Sequence, residues 1–488
     1  MQHDADPQGR RLPVKLDSTS NGEFAPIPLD ASLRRANALA AERATALARR
    51  LGKSRREFLI STCGAASSFL ALNAAHAAAG RTAGFFAVST ESALDTQLAT
   101  AELGKQEFIF DVQGHFVNPD GAWLEVLAPG SRPLTFAPKI ACARAQEPGE
   151  RSYLRCLGSE EFVKDVFVDS DTDMMVLSFV PSAREREPLT IEEAAATRAI
   201  VERMAGTHRL MLHGRVNPNQ PGDLDDMERL AKFGIVAWKT YTQFGPGGEG
   251  FFMTDDAGIA FVERARKIGI RNICIHKGIP FGQKSYQHST CSDIGPIASQ
   301  FPDVNFLIYH SGWVPDGKPE GPYDPSRTDG IDALISSMHK AGVKPNSNVY
   351  AELGSTWRFL ALRKPDEAAH ALGKLFKHVG QNNVLWGTDS IWYGSPQDQI
   401  QAFRAFQIAP EVRDRYSYPQ ITPELRRKVF ALNAAKPYQL SLDELTKQAG
   451  TDAIAREKLA AERPNPTFRT YGPRTRREFL NLASWSAG

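Results

Sequence analysis

Several residues of metal-binding type lie at or just beyond the ends of short apolar runs: His115, His213, Lys239, His276, His310, Glu352 and Asp389, with Gln113 two places before His115. Four of the chain's eleven histidines fall at such positions. Neutral imidazole nitrogens and a carboxylate oxygen suit a hard-to-borderline divalent metal with one position left open for water. A metal held this way lowers the pKa of bound water toward about 7, which suggests hydrolysis of a C–N or C–O bond. An imidazole that titrates near neutrality would move the accompanying proton.

These residues can meet only if the apolar runs are brought side by side. The runs are 108–112, 174–179, 210–213, 235–238, 273–275, 306–309, 349–351 and 384–386. Between them, helical spacing of apolar residues marks 191–205, 224–233, 257–268, 331–341 and 367–379. Gly206, Gly234, Gly269, Gly342 and Gly380 stand at the helix exits. Eight strands alternating with helices predict a (β/α)8 TIM barrel, an α/β fold whose strand exits converge on one face. A doubly wound sheet is the alternative, but Gln113-Gly114-His115 is not the glycine-rich turn such a sheet carries after its first strand. The long first interval predicts an insertion around 119–169, beside the barrel mouth. The expected organisation is an N-terminal extension over 1–79, a barrel over 105–440 and a helical C-terminal tail over 441–488. Within the tail, Arg476-Arg477-Glu478-Phe479-Leu480 reads as a charged helix start.

The chain is 42% hydrophobic, 23% charged and 9% aromatic, with 58 basic against 56 acidic residues, a formal +2. So even a balance offers no footprint for a phosphate backbone, and a small molecule is the expected partner rather than nucleic acid. Phe116, Tyr241, Phe244, Trp313, Trp357, Trp392 and Tyr393 lie near strand exits and could line a pocket for a flat or aromatic substrate.

From Ser54 the chain reads Arg55-Arg56, then Phe58-Leu59, an apolar stretch and the small-residue run Ala75-His76-Ala77. This order resembles a bacterial twin-arginine (Tat) export signal and implies the Tat machinery as a partner and the periplasm as the destination. Cleavage would follow Ala77. The apolar part is too short and too rich in Ala, Ser and Gly for a stable membrane span, so none is expected in the mature protein. In an oxidising compartment Cys142 and Cys156 could pair.

The strand-exit motifs together resemble the amidohydrolase superfamily, in its branch around amino-carboxymuconate-semialdehyde decarboxylase, over about Phe108 to Leu440. That family carries an H-x-H or E-x-H pair after the first strand, here Gln113-Gly114-His115, and a metal-binding His after the fifth, His276 in Cys274-Ile275-His276-Lys277-Gly278. His310 in Tyr309-His310-Ser311-Gly312-Trp313 matches the His after strand six, and Asp389 in Trp386-Gly387-Thr388-Asp389-Ser390 the closing Asp. Phe430 to Tyr438 is similar to the family's last helix. The resemblance implies one divalent ion, zinc first and manganese second, held by His115, His276 and Asp389 with Gln113 as a weaker, uncharged donor. Asp389 would be the general base and His310 the residue that polarises the electrophile or shuttles the proton. His213, Lys239, Trp313, Glu352 and Trp392 are expected around the substrate. A metal-dependent hydrolase is the first expectation. Non-oxidative decarboxylation on the same site is the alternative, and a metal-free ligand-binding barrel the second. A homo-oligomer is left open.

Overall fold

The computed structural model of the chain describes residues 6–82, 84–125, 152–280, 286–315, 318–460 and 466–480. Eight parallel strands pair in sequence order: β1 (Phe110–Gly114), β2 (Met174–Leu177), β3 (Leu210–Arg215), β4 (Ala237–Tyr241), β5 (Asn272–His276), β6 (Asn305–Tyr309), β7 (Val349–Glu352) and β8 (Val384–Leu385). The first and last strands then meet. Val112 N–H donates to Trp386 O at 3.0 Å, Asp389 N–H donates to Gln113 O at 3.1 Å, and Gly114 bridges to Ser390. This is the expected TIM barrel.

The strands are buried on both faces, which is why they read as continuous apolar runs rather than alternating ones. Their inward side chains, among them Phe110, Met174, Leu307 and Leu385, form one cluster with Tyr438, whose ring lies edge-on to Phe110 at 5.2 Å. The helix Ile191–Ala205 starts on a Thr190/Glu193 capping box and stops at Gly206, φ 78°. Two elements are shorter than their periodicity predicts. The helix expected over 224–233 is only Met227–Ala231, because Asp223 accepts from Asn217 N–H at 2.9 Å and holds the preceding residues in turns. The helix expected over 367–379 is Pro365–Lys374, relaxing into a π-type turn over Leu375–Gly380.

The described part of the segment between β1 and β2 is helical, with Phe162 packed on Phe116 at 5.2 Å. Cys156 there is disulfide-bonded; Cys142 lies outside the described residues. In the C-terminal region, Leu442–Thr451 and Ala453–Ala460 are helices, tied down by the buried Arg209–Asp452 ion pair. A capping box between Thr475 and Glu478 starts a further helical turn over 476–480.

Residues 31–78 form three helices packed on the barrel: α1 (Ala31–Arg50), α2 (Arg55–Leu59) and α3 (Thr62–Ala78). Small and apolar residues surround α3 on all sides, and it is accordingly buried nearly all round. Phe69 meets Phe86 at 4.8 Å, and Phe86 meets Phe406 at 5.9 Å. The stretch that reads as a removable leader thus contributes Phe58 and Phe69 to the core. No helix among the described residues is long and apolar enough to cross a membrane.

Asp165 sits where the β1–β2 segment meets the C-terminal region, 1% exposed, beside Tyr471 and with Lys164 Nζ 3.8 Å away. Burial pushes its pKa up to about 7 against the opposing pull of Lys164. The folded state therefore holds a proton that the unfolded chain releases near pH 4, and stability falls as pH rises from about 4 to about 7. Asp165→Asn should melt several degrees above wild type at pH 8 and match it at pH 4. Calorimetry at the two pH values checks this.

Candidate metal centre

Four exits, after β1, β5, β6 and β8, carry the chemistry. At β1, Asp111 accepts from Gln113 N–H at 3.0 Å and from Thr388 N–H at 3.1 Å, stapling this strand to the turn after β8. Gln113 Nε2 then donates to Asp389 Oδ1 at 3.1 Å, and His115 Nε2 lies 3.3 Å from the same oxygen. Asp389 adopts a left-handed backbone, φ 56°, that turns its carboxylate toward this pair. Ser355 Oγ donates to Asp389 Oδ2 and shares a 2.7 Å bond with Tyr393 OH.

At β5 and β6, two imidazoles are fixed in complementary tautomers. His276 Nε2 donates to Ile279 O at 3.1 Å, which leaves the lone pair on Nδ1. His310 Nδ1 donates to Gly354 O at 2.7 Å, leaving Nε2 with no hydrogen-bond partner although the residue is fully buried. The rings meet edge to face at 4.7 Å. His310 and Ser311 have φ 62° and 54°, and Glu352 holds that turn by accepting from His310 N–H at 3.0 Å and Gly354 N–H at 2.5 Å. After β5, Gly278 is required: at φ 75°, a Cβ there would lie 2.3 Å from the backbone of Gly312 and Trp313.

Two further site residues come from the extreme N-terminal part of the chain. Asn21 Nδ2 donates to Asp389 Oδ2 at 2.8 Å and to Glu23 Oε2 at 2.5 Å. Glu23 Oε1 is 3.5 Å from His276 Nδ1, and Oε2 is 3.9 Å from His310 Nε2. Glu23, His276 and His310 offer three ligand atoms within 4.8 Å of one another. Sequence reasoning missed Asn21 and Glu23. Their local signature is an Asx turn, with Glu23 N–H donating to Asn21 Oδ1 at 3.0 Å, which marks a turn and not a ligand.

Burial sets the charge states. Desolvation and neighbouring cations hold His115, His213 and His276 well below the usual imidazole range and His310 at about 3, so all four are neutral lone-pair donors. Desolvation raises the carboxyls of Glu23 and Asp389, and Asp389 raises Glu23 further. Lys239 is pushed down to about 8; its Nζ has no hydrogen-bond partner and lies over the rings of Tyr309 at 3.7 Å and Tyr241 at 4.7 Å. Buried lone pairs, two crowded carboxyls and the partnerless Gln113 Oε1 and His310 Nε2 together fit a divalent cation.

The expected substrate residues separate. Trp392 stands beside His115, ring centroids 6.1 Å apart, at the wall of the site. His213 points into the barrel interior, 3.4 Å from Tyr309 OH and 3.5 Å from Cys274 Sγ. Glu352 has both oxygens on main-chain N–H groups and positions His310. Trp313 stacks on Phe359 at 5.8 Å, and Phe359 in turn meets Phe24 of the N-terminal segment at 4.7 Å.

The sequence profile of the family described as Amidohydrolase matches residues 110–440. The chain belongs to this family. The amidohydrolase match covers the barrel and leaves out α1–α3 and the segment bearing Asn21 and Glu23. No curated protein matches the chain. Solved structures similar to it include a 5-carboxyvanillate decarboxylase from Novosphingobium aromaticivorans with bound manganese, at 15% identity and TM-score 0.45 over 68% of this chain and 97% of that one. A 2,6-dihydroxybenzoate decarboxylase from Rhizobium aligns at 14% identity and TM-score 0.40 over 69% and 100%. A probable 2-pyrone-4,6-dicarboxylic acid hydrolase from Acinetobacter baumannii aligns at 11% and 0.39 over 68% and 99%.

The dependence of this amidohydrolase site on Glu352 is testable through its neighbour Gly387, where a Cβ would lie 1.6 Å from Glu352 Oε1. Gly387→Ala should cost about 3 kcal/mol of stability by overpacking and by displacing the carboxylate from two N–H groups. Gly450→Ala, with nothing within 4 Å of its Cβ, should be neutral or mildly stabilising. Denaturant melts of the two variants make the comparison.

Proposed function

We propose that this amidohydrolase barrel binds one divalent metal and hydrolyses a small molecule carrying an acidic group. The observation that carries the reading is the pair of fixed tautomers: His276 and His310 each give one nitrogen to a main-chain carbonyl and turn the other toward the same carboxylate, Glu23. His115, His276 and Asp389 would hold the ion, with Gln113 Oε1 as the weaker donor. When bound, it supplies a Lewis acid and a water acidified toward about pKa 7. Asp389 takes the proton of the attacking water, and Ser355 and Asn21 hold its other oxygen in place. His310 Nε2 carries a lone pair and so must accept a proton before it can donate one; the water's proton, first taken by Asp389, ends on the leaving nitrogen or oxygen as its bond to carbon breaks, with His310 as the shuttle. Lys239, a buried ammonium without a hydrogen-bond partner, receives an anionic group of the substrate, and Tyr241 and Trp392 flank it as flat walls.

Lys239 also favours a second reading on the same residues, non-oxidative decarboxylation, because it gives a substrate carboxylate a partner inside an aromatic pocket. Zinc is the proposed ion, with manganese the other outcome of metal analysis. The compartment proposed from the twin-arginine layout is the periplasm, and cell fractionation decides it.

His276→Ala should lose metal at least tenfold in affinity and lose activity with it; unchanged metal stoichiometry would defeat the assignment. Chelation should abolish turnover, and zinc or manganese should restore it. With a panel of small aromatic and cyclic acids, incorporation of oxygen from labelled water marks hydrolysis, whereas release of carbon dioxide without such incorporation moves the assignment to the second reading.

A further inference from the structure

The site includes chain that lies far outside the barrel. Residues 14–30 cross the barrel mouth and are fastened there by buried charge. Lys15 N–H donates to Asp398 Oδ2 at 3.0 Å, and its Nζ donates to Tyr393 O at 2.8 Å. Arg358 Nη2 reaches Lys15 O at 3.0 Å and Asp17 Oδ1 at 3.1 Å, and Arg363 Nη2 reaches Ile27 O at 2.6 Å. The side chains of Lys15, Arg358 and Asp398 are 4%, 4% and 0% exposed, so removing the arm would strip partners from buried charges. Between these anchors the chain brings Asn21 to Asp389 and Glu23 to His276 and His310.

Charge counting favours Glu23 as a ligand. An imidazole ligates through a neutral nitrogen and Gln113 brings no charge from β1, so within that ligand set Asp389 alone leaves a deficit of one negative charge against the divalent ion. Glu23 removes it. In a site this dry, an unbalanced charge is costly, and the second carboxylate would offset it at close range.

We propose that Glu23 is a ligand of the divalent ion, carried into the site by residues 14–30, and that the active protein keeps this arm rather than losing it after Ala77. The proposal rests on the metal-dependent reading above. The arm completes the coordination that β1 leaves one charge short, and α1–α3 anchor it by joining the barrel's core.

The test uses the full-length chain. Affinity for zinc and for manganese is measured by competition with a chelator for wild type, Glu23→Gln and Glu23→Asp, alongside the melting temperatures of the metal-free proteins. Glu23→Gln should bind at least tenfold more weakly while its metal-free form melts close to wild type, because the amide oxygen can still accept from Asn21 Nδ2. Glu23→Asp keeps the charge and should bind between the two, and it carries the test if the Gln variant fails to fold. Intact mass of active protein from its own cells should show a chain beginning before residue 14. Equal affinity in wild type and both variants would overturn the proposal, as would higher turnover in Glu23→Gln at unchanged affinity, which marks the arm as a plug. An active chain beginning near residue 78 would overturn it too. A wild-type protein that takes up no metal would instead defeat the functional reading itself, and this proposal with it.

Discussion

Where β8 returns to β1, main-chain bonds hold the two strands in one register: Val112 to Trp386, Asp389 to Gln113, and His115 to Ser390. Residues 276 positions apart are thereby placed so that one carboxylate oxygen of Asp389 faces both the amide of Gln113 and the ring of His115. Asp111 reinforces the junction from below by accepting from the N–H groups of Gln113 and Thr388. The rest of the site inherits its positions from this closure, because a parallel sheet left open would splay β1 from β8. Two residues suffice for β8 because the polar turn after it, rather than a longer strand, makes the closing contacts.

Closure also makes the site dry, and dryness governs its electrostatics. The imidazoles and Lys239 are pulled down and the carboxyls pushed up; each group is pushed toward its uncharged form by the same desolvation. A cluster of this kind is unfavourable by itself. It is accompanied by left-handed backbone at His310, Ser311, Ser355 and Asp389, costing on the order of 1 kcal/mol or more at each residue. Such concentrated strain at three adjacent exits is tolerated because Glu352, Thr356 and Gly354 pin the turns by hydrogen bonds. The arrangement is one that a cation would relieve, by stabilising the carboxylates and using the lone pairs already aimed inward.

The barrel was legible because buried parallel strands are apolar on both faces, so each appears as an uninterrupted run with a polar residue at its exit. His115, His276, His310 and Asp389 could be read for that reason. Helix boundaries were less legible where a side chain competed with the backbone, as Asp223 does before Met227. Glu352 reads as a substrate contact from its place at the end of β7, since nothing local shows that two N–H groups occupy its oxygens. Asn21 and Glu23 were beyond reach: the bond from Asn21 to Asp389 spans 368 positions, and no periodicity encodes a contact made by an extended arm.

The N-terminal helices show why composition alone supports two readings. A signal's apolar region and a helix buried on all sides call for the same residues, Ala, Ser, Gly, Leu and Phe, because both must leave water without carrying charge. The difference lies in the two arginines. An address must present them, yet Arg55 donates to Gly9 O at 2.7 Å and to Ala41 O at 2.6 Å, and Arg56 donates to Pro466 O at 2.5 Å and lies over the Phe468 ring. Phe58, next in the motif but one, is fully buried. The same stretch therefore cannot be a readable address and a folded support at one moment. In the folded chain it is the support, and the position of Glu23 over the paired histidines is what that support secures.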